Sequence, residues 1–248
     1  MALDGDGLEA QARAFMGELD GIKTTIDPDF PWYPYGILNN FIHLNPIFRQ
    51  FPLDTLVRGK AILDIGAADG DLSFFLERLG FAPEIIDHGP TNFNNLQGAR
   101  LLARHLRSSV VIHDVNLDSY FAMPAASYDL VFFLGILYHL RNPILVMESL
   151  AKVTQFMLVS TRVARFAPNG QAISDIPVAY LVNPMESNND STNYWTFSAA
   201  GLTRLFDRTG WDVLASLSVG DTRQSEPARP DRDERAFALL RSRHEPVG

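Results

Sequence analysis

The chain of 248 residues has no cysteine, which excludes disulfides and thiolate-bound metals. No apolar run approaches the roughly 18 residues that a membrane-spanning helix needs. The opening MALDGDGLEAQARAF is acidic and lacks the basic start and apolar middle of a secretory leader. These absences point to a soluble, cytoplasmic protein. Positive charge is also scarce. Lys and Arg number 21 against 29 Asp and Glu, a formal net charge of −8, which argues against broad sequence-independent binding of nucleic acid. A local basic face stays open. Apolar residues are not scarce: at 46% they can fill one sizeable core. The expected organisation is an N-terminal helical and aromatic-loop extension over 1–57, then one α/β domain over 58–248.

One further absence is local. No Lys or Arg lies between Lys60 and Arg78, and the stretch they bracket is the most informative in the chain. Ala61–Ile65 reads as a strand, Gly66-Ala67-Ala68-Asp69-Gly70 as a tight turn, and the following LSFFLERLG as a helix. In an open α/β sheet such a turn sits at the carboxyl end of its strand, where glycine lets the backbone approach a ligand. Asp64, Asp69 and Asp71 would repel a pyrophosphate there and attract a cation.

The rest of the chain builds a sheet around that turn. Residues 7–19 carry Leu8, Ala12, Phe15 and Leu19 at helical spacing. Prolines 28, 31 and 34 interleave with Phe30, Trp32, Tyr33 and Tyr35, forming an aromatic loop that either covers a ligand or fills the core. A second strand ends at Asp87, about the distance after the first loop at which such folds place a carboxylate on ribose hydroxyls. A third strand ends at Asp114-Val115. A fourth, YDLVFFLGILYHL, is apolar enough to be buried on both faces. A helix begins at Asn142-Pro143, and Phe156–Val163 is a fifth strand. Residues 164–197 form an excursion rich in Pro, Asn, Asp and Ser, of a length typical of lids and binding segments. Ser198 caps a helix, and two final strands with no helix between them are antiparallel. The fold class is α/β, a doubly wound seven-stranded Rossmann-like sheet with its last strand antiparallel.

Asp64, Gly66, Ala68 and Gly70 resemble motif I of the class I S-adenosylmethionine (SAM)-dependent methyltransferases, with alanine in place of the middle glycine. The resemblance implies SAM as cofactor. By position it implies cofactor contacts from Asp64, Gly66, Ala67, Ala68, Gly70, Asp87, His88, Asp114, Val115 and Leu134, with Asp87 on the ribose and Asp114 at the adenine amino group. A narrower resemblance, carried by VFFLGILYHLRNPILVMESL, Tyr35-Gly36 and Arg235, is to the bacterial tRNA wobble-uridine carboxymethyltransferases. It covers roughly Trp32 to Val163 well and the C-terminal part loosely. That family binds an extra donor carboxylate with a lysine, a tyrosine and an arginine. The tyrosine and arginine positions here are Tyr138 and Arg235, but Asp29 stands near the lysine position and no Lys or Arg occurs from Thr24 to Phe48. Plain methyl transfer is therefore favoured.

Methyl transfer from a sulfonium is an in-line displacement, so the protein mainly aligns the reactants and, where needed, removes a proton. His139 is the candidate base, against a purely structural histidine, and Tyr138 a positioning group. Glu186, Asn189, Tyr194, Trp195 and Arg235 are candidate acceptor contacts, although polar groups in such a loop also satisfy its own backbone. Three functions fit: a methyltransferase for small molecules, an RNA-modifying enzyme presenting arginines 162, 165, 204 and 208 and the C-terminal arginines as a basic face, and a SAM-binding protein without catalysis.

Overall fold

The computed structural model describes residues 3, 5–59, 61–187 and 190–244. The chain divides into two compact units, Met1–Phe132 and Phe133–Gly248.

The first unit opens with helix α1 (Gly5–Ile26), which buries the four apolar positions picked out by their spacing and, one further turn along, Lys23. Helix α2 (Asn40–Gln50) contains Pro46, and the single turn α3 (Leu53–Leu56) leads to strand β1 (Ala61–Ile65). Then follow α4 (Asp71–Arg78), β2 (Ala82–Asp87), α5 (Gln97–Leu106), β3 (Val111–Asp114) and β4 (Tyr128–Leu134). Phe15 of α1 and Phe41 of α2 pack on Phe75 of α4, with ring centroids 5.8 and 5.3 Å away. All three rings are buried, and each such burial is worth about 1.5–3 kcal/mol. The N-terminal helices thus share a core with the helix that follows the glycine-rich turn.

β1 pairs in parallel with β2 on one side and β4 on the other, and β2 with β3. The chain therefore steps outward from β1 to β3 and then returns to β1's other edge. Ligands bind at such a reversal, beyond the strands' carboxyl ends, and the turn after β1 lies there.

In the second unit, helix α6 (Pro143–Val153) starts on Asn142, whose side chain accepts from the Leu145 N–H, with Pro143 in the first helical position. Strand β5 (Thr154–Val163) is followed by short strands β6 (Ala179–Leu181) and β7 (Trp195–Phe197), helix α7 (Ala199–Arg208), and strands β8 (Trp211–Gly220) and β9 (Glu234–Ser242). Ser198 caps α7 by accepting from the Gly201 N–H at 2.9 Å. β9 runs antiparallel between β5 and β8. Among the described residues there are nine strands rather than the expected seven. β6 and β7 are the additions: the 164–197 excursion folds back on itself, Tyr180 opposite Thr196, and β7 joins β5 through Val163 and Phe197.

Candidate functional site

The turn after β1 alternates in backbone hand. Gly66, Ala68 and Gly70 have φ of 72°, 56° and 84°, a region glycine enters freely and alanine does not. The alanine in the middle position therefore holds a glycine's conformation, at a cost of order 1–2 kcal/mol. A Cβ on Gly70 would lie 2.8 Å from the Phe74 ring, so that position also needs glycine for space.

Asp87 closes over this turn. Its carboxylate accepts from the Ala68 N–H at 3.2 Å, the Asn92 side chain at 3.0 Å and the His88 N–H at 2.7 Å. Burial nevertheless raises its pKa above the usual carboxylate value. Asp114 is exposed and spends Oδ1 on the Gly89 N–H at 2.9 Å, and Val115 N–H bonds the Asp87 carbonyl at 2.9 Å. The two acids assigned to ribose and adenine thus end adjacent strands, in register. Asp64 is buried, accepts from the Ser73 hydroxyl at 2.8 Å, and has its pKa pushed up to about 7 by burial, against which the Ser73 bond works.

The acids are not as bare of counter-charge as the local sequence suggests. Lys23, 48 residues before Asp71, reaches Asp71 at 2.9 Å and Asp69 at 3.4 Å, and its ammonium lies 5.7 Å from the Trp32 ring centroid. Asp69 is fully buried and also accepts from Tyr33 N–H and the Asn94 amide, at 2.8 and 2.7 Å. Asp71 keeps one buried oxygen with no partner. The aromatic loop is pinned beside the turn: Asn94 donates to the Pro31 carbonyl, the Phe93 N–H donates to the Tyr33 hydroxyl, and the Tyr33 and Phe93 rings meet edge-on at 5.6 Å. Phe93 remains exposed. No local sequence signal marks Lys23, because its role depends on how α1 packs.

The second unit gathers most of the expected acceptor residues. Gly135, at φ 76°, ends β4 just beyond Leu134, and a short helical turn carries Tyr138 and His139. The Tyr194 N–H bonds the Tyr138 carbonyl at 2.8 Å, the Trp195 indole donates to the Leu140 carbonyl at 2.8 Å, and His139 Nδ1 meets Thr192. The Arg235 guanidinium lies 5.5 Å from the Tyr138 ring centroid. Burial lowers the His139 pKa, so the imidazole is neutral near pH 7. Glu186 is engaged elsewhere: both its oxygens accept from the Tyr180 hydroxyl, at 2.9 and 3.0 Å, and one from Asn183 N–H. Asn189 lies outside the described residues.

A family model described as a methyltransferase domain matches residues 44–216. The chain belongs to the methyltransferase-domain family. Together with the acidic turn after β1 this makes it a SAM-dependent methyltransferase, with SAM as its cofactor. Three solved structures share the fold. The N-terminal domain of EvdMO1 with SAH bound has a TM-score of 0.59 at 17% identity, over 91% of this chain and 96% of that one. The [4+2]-cyclase SpnF has a TM-score of 0.55 at 13% identity, over 74% and 75%. TehB from Haemophilus influenzae has a TM-score of 0.51 at 16% identity, over 73% and 57%. No curated relative matches the chain.

The turn's chemistry suits the methyltransferase cofactor. The acids at and beside the turn, Asp64, Asp69 and Asp71, favour a cationic ligand there, left-handed backbone at three positions admits close approach, and Asp114 stands exposed at the strand end. Among the described residues no group of His, Asp and Glu could hold a metal ion, and no helix is long and apolar enough to cross a membrane.

Proposed function

We propose that this methyltransferase acts on a small-molecule acceptor whose reacting oxygen or nitrogen carries a proton. The observation behind this reading is the cluster of Tyr138, His139, Tyr194 and Trp195, which is cross-linked by backbone and indole hydrogen bonds and has a neutral imidazole at its edge. Arg235 stacks on the cluster and has no ion-pair partner among the described residues, so it is available to an acceptor. Two arginines that would form a basic face for RNA are instead spent internally: Arg162 on Asp233 at 2.6 Å and on Ser187, and Arg165 on Glu234 at 2.8 Å.

In the proposed mechanism, bound SAM supplies an electrophilic methyl group. Gly66, Ala67, Ala68 and Gly70 bring their backbone close to the donor, Asp64 favours its positive charge, Asp87 accepts from the ribose hydroxyls with His88 beside it, and Asp114 accepts from the adenine amino group. Val115 and Leu134 offer apolar contact. Tyr138, Tyr194 and Trp195 orient the acceptor and exclude water, and His139 takes its proton. Glu186, tied to Tyr180, supports the excursion and is left out of the acceptor wall.

The purified chain, incubated with SAM and either a panel of phenols, amines and carboxylates or total tRNA, is expected to release S-adenosylhomocysteine with a small acceptor. Release with tRNA alone would overturn the reading.

A further inference from the structure

His139 is not simply a histidine near an aromatic cluster; the groups around its ring determine which nitrogen is free. Nδ1 lies 3.1 Å from the Thr192 carbonyl oxygen and 2.9 Å from the Thr192 hydroxyl. A carbonyl can only accept, so Nδ1 carries the hydrogen. The Thr192 hydroxyl in turn donates to Asp190 Oδ1 at 2.6 Å, and the Thr192 N–H bonds the same oxygen at 2.9 Å. With its proton committed to Asp190, that hydroxyl also accepts from Nδ1. These hydrogen bonds hold Asp190 below the usual carboxylate pKa despite its burial, so it is ionised at neutral pH.

We infer that Asp190 and Thr192 are positioning residues that lock His139 with Nδ1 protonated and Nε2 bare, making Nε2 the atom that receives the acceptor's proton. Among the described residues Nε2 has no hydrogen-bond partner. The arrangement is a carboxylate–hydroxyl–imidazole chain, in which an ionised acid fixes the tautomer and stabilises the imidazolium once it forms. As the proton passes from the acceptor to Nε2, the freed lone pair bonds the methyl carbon, and the carbon–sulfur pair stays on sulfur. The proton later leaves Nε2 for water. The charged and titratable groups facing the ring act in opposite directions. Asp190 favours the cation and the Arg235 guanidinium opposes it, while the Tyr138 ring packs 4.3 Å away, centroid to centroid.

This inference rests on the reading of His139 as the base, but it can be tested without any acceptor. In the full chain labelled with 15N-histidine, the His139 ring signals, assigned by their loss in His139→Gln, are expected to show a single tautomer with hydrogen on Nδ1. Asp190→Asn is expected to lower the imidazole pKa measurably, because a favourable negative charge is lost. Thr192→Val is expected to do the same by breaking the chain, and Thr192→Ser to restore the wild-type value. Hydrogen on Nε2, tautomers averaging in the wild type, or a pKa unmoved by Asp190→Asn in a variant whose backbone spectrum is unchanged would overturn the inference. If the tautomer is as stated but His139→Gln retains full methyl transfer to an identified acceptor, the relay stands and the reading of His139 as base fails.

Discussion

Replacing Asp64 by Asn would test the physics of the donor turn directly. Asp64 is buried, and its pKa is raised from 3.8 to about 7, first by burial and secondarily by the charges of Asp87 and Asp71, with the Ser73 hydrogen bond opposing. Its folded-state pKa lies above its unfolded one, so the folded chain binds the extra proton. Stability is therefore lost as pH rises from about 4 towards 7, and the full cost is present above 7. At 1.36 kcal/mol per pKa unit that cost is about 4 kcal/mol. Asparagine still accepts from Ser73 and carries no charge. Any penalty from its buried amide is the same at every pH, so the informative quantity is how the gap between variant and wild type changes with pH. Because about 1 kcal/mol of the cost is already present at pH 4.5, the variant's stability is expected to improve relative to wild type by about 3 kcal/mol from pH 4.5 to pH 8, on the order of 10 °C in melting temperature for a chain of this size. Urea unfolding or calorimetry at the two pH values, without ligand, measures this. S-adenosylmethionine should bind the wild type more tightly at pH 8 than at pH 5.5, with proton release, and bind the variant more weakly and with a smaller dependence on pH. A gap between variant and wild type that does not change with pH would refute the argument that burial of this carboxyl governs its ionisation.

Asp87→Ala removes the acceptor assigned to the ribose and should weaken S-adenosylhomocysteine by about thirtyfold, roughly 2 kcal/mol, in titration calorimetry. Lys23→Met leaves Asp69 and Asp71 buried without their cation, and should cost about 3–5 kcal/mol of stability in denaturant unfolding. Ala68→Gly relieves the left-handed alanine at φ 56°. After the entropy glycine loses on folding, the net gain should be within about 1 kcal/mol, with the fold and donor binding retained.

The features legible in the sequence were those whose causes are local. The turn after β1 showed itself through glycines and acids within ten residues, Ser198 through its place before an apolar helix, and the antiparallel ending through two strand patterns with no helix between them. The features that were not legible depend on distant contacts. Lys23 pairs with an acid 48 residues away, and His139 meets Thr192 at a separation of 53; neither pairing leaves a periodic trace. β6 and β7 are three residues each, too short for alternation to show, so the excursion read as irregular chain and the strand count came out two low. The contacts Glu186 makes within its own loop were not legible either: its carboxylate accepts from the Asn183 N–H and from the Tyr180 hydroxyl, a local arrangement that residue type alone does not announce. The arginines that suggested an RNA face, 162 and 165, look free in sequence only because their acids, Asp233 and Glu234, lie some seventy residues further on.

The position of β9 bears on how the second unit can form. This strand follows β5 and β8 in the sequence, yet it is hydrogen-bonded along both edges, facing β5 from Phe156 to Val163 and β8 from Trp211 to Gly220. During synthesis β5 and β8 are complete while the segment that joins them is still to be made, leaving two apolar strand edges with nothing between them. Such edges are the sites where chains pair wrongly. The unit therefore closes only once β9 has been made, so loss of a few residues from within β9 would leave both neighbours unpaired.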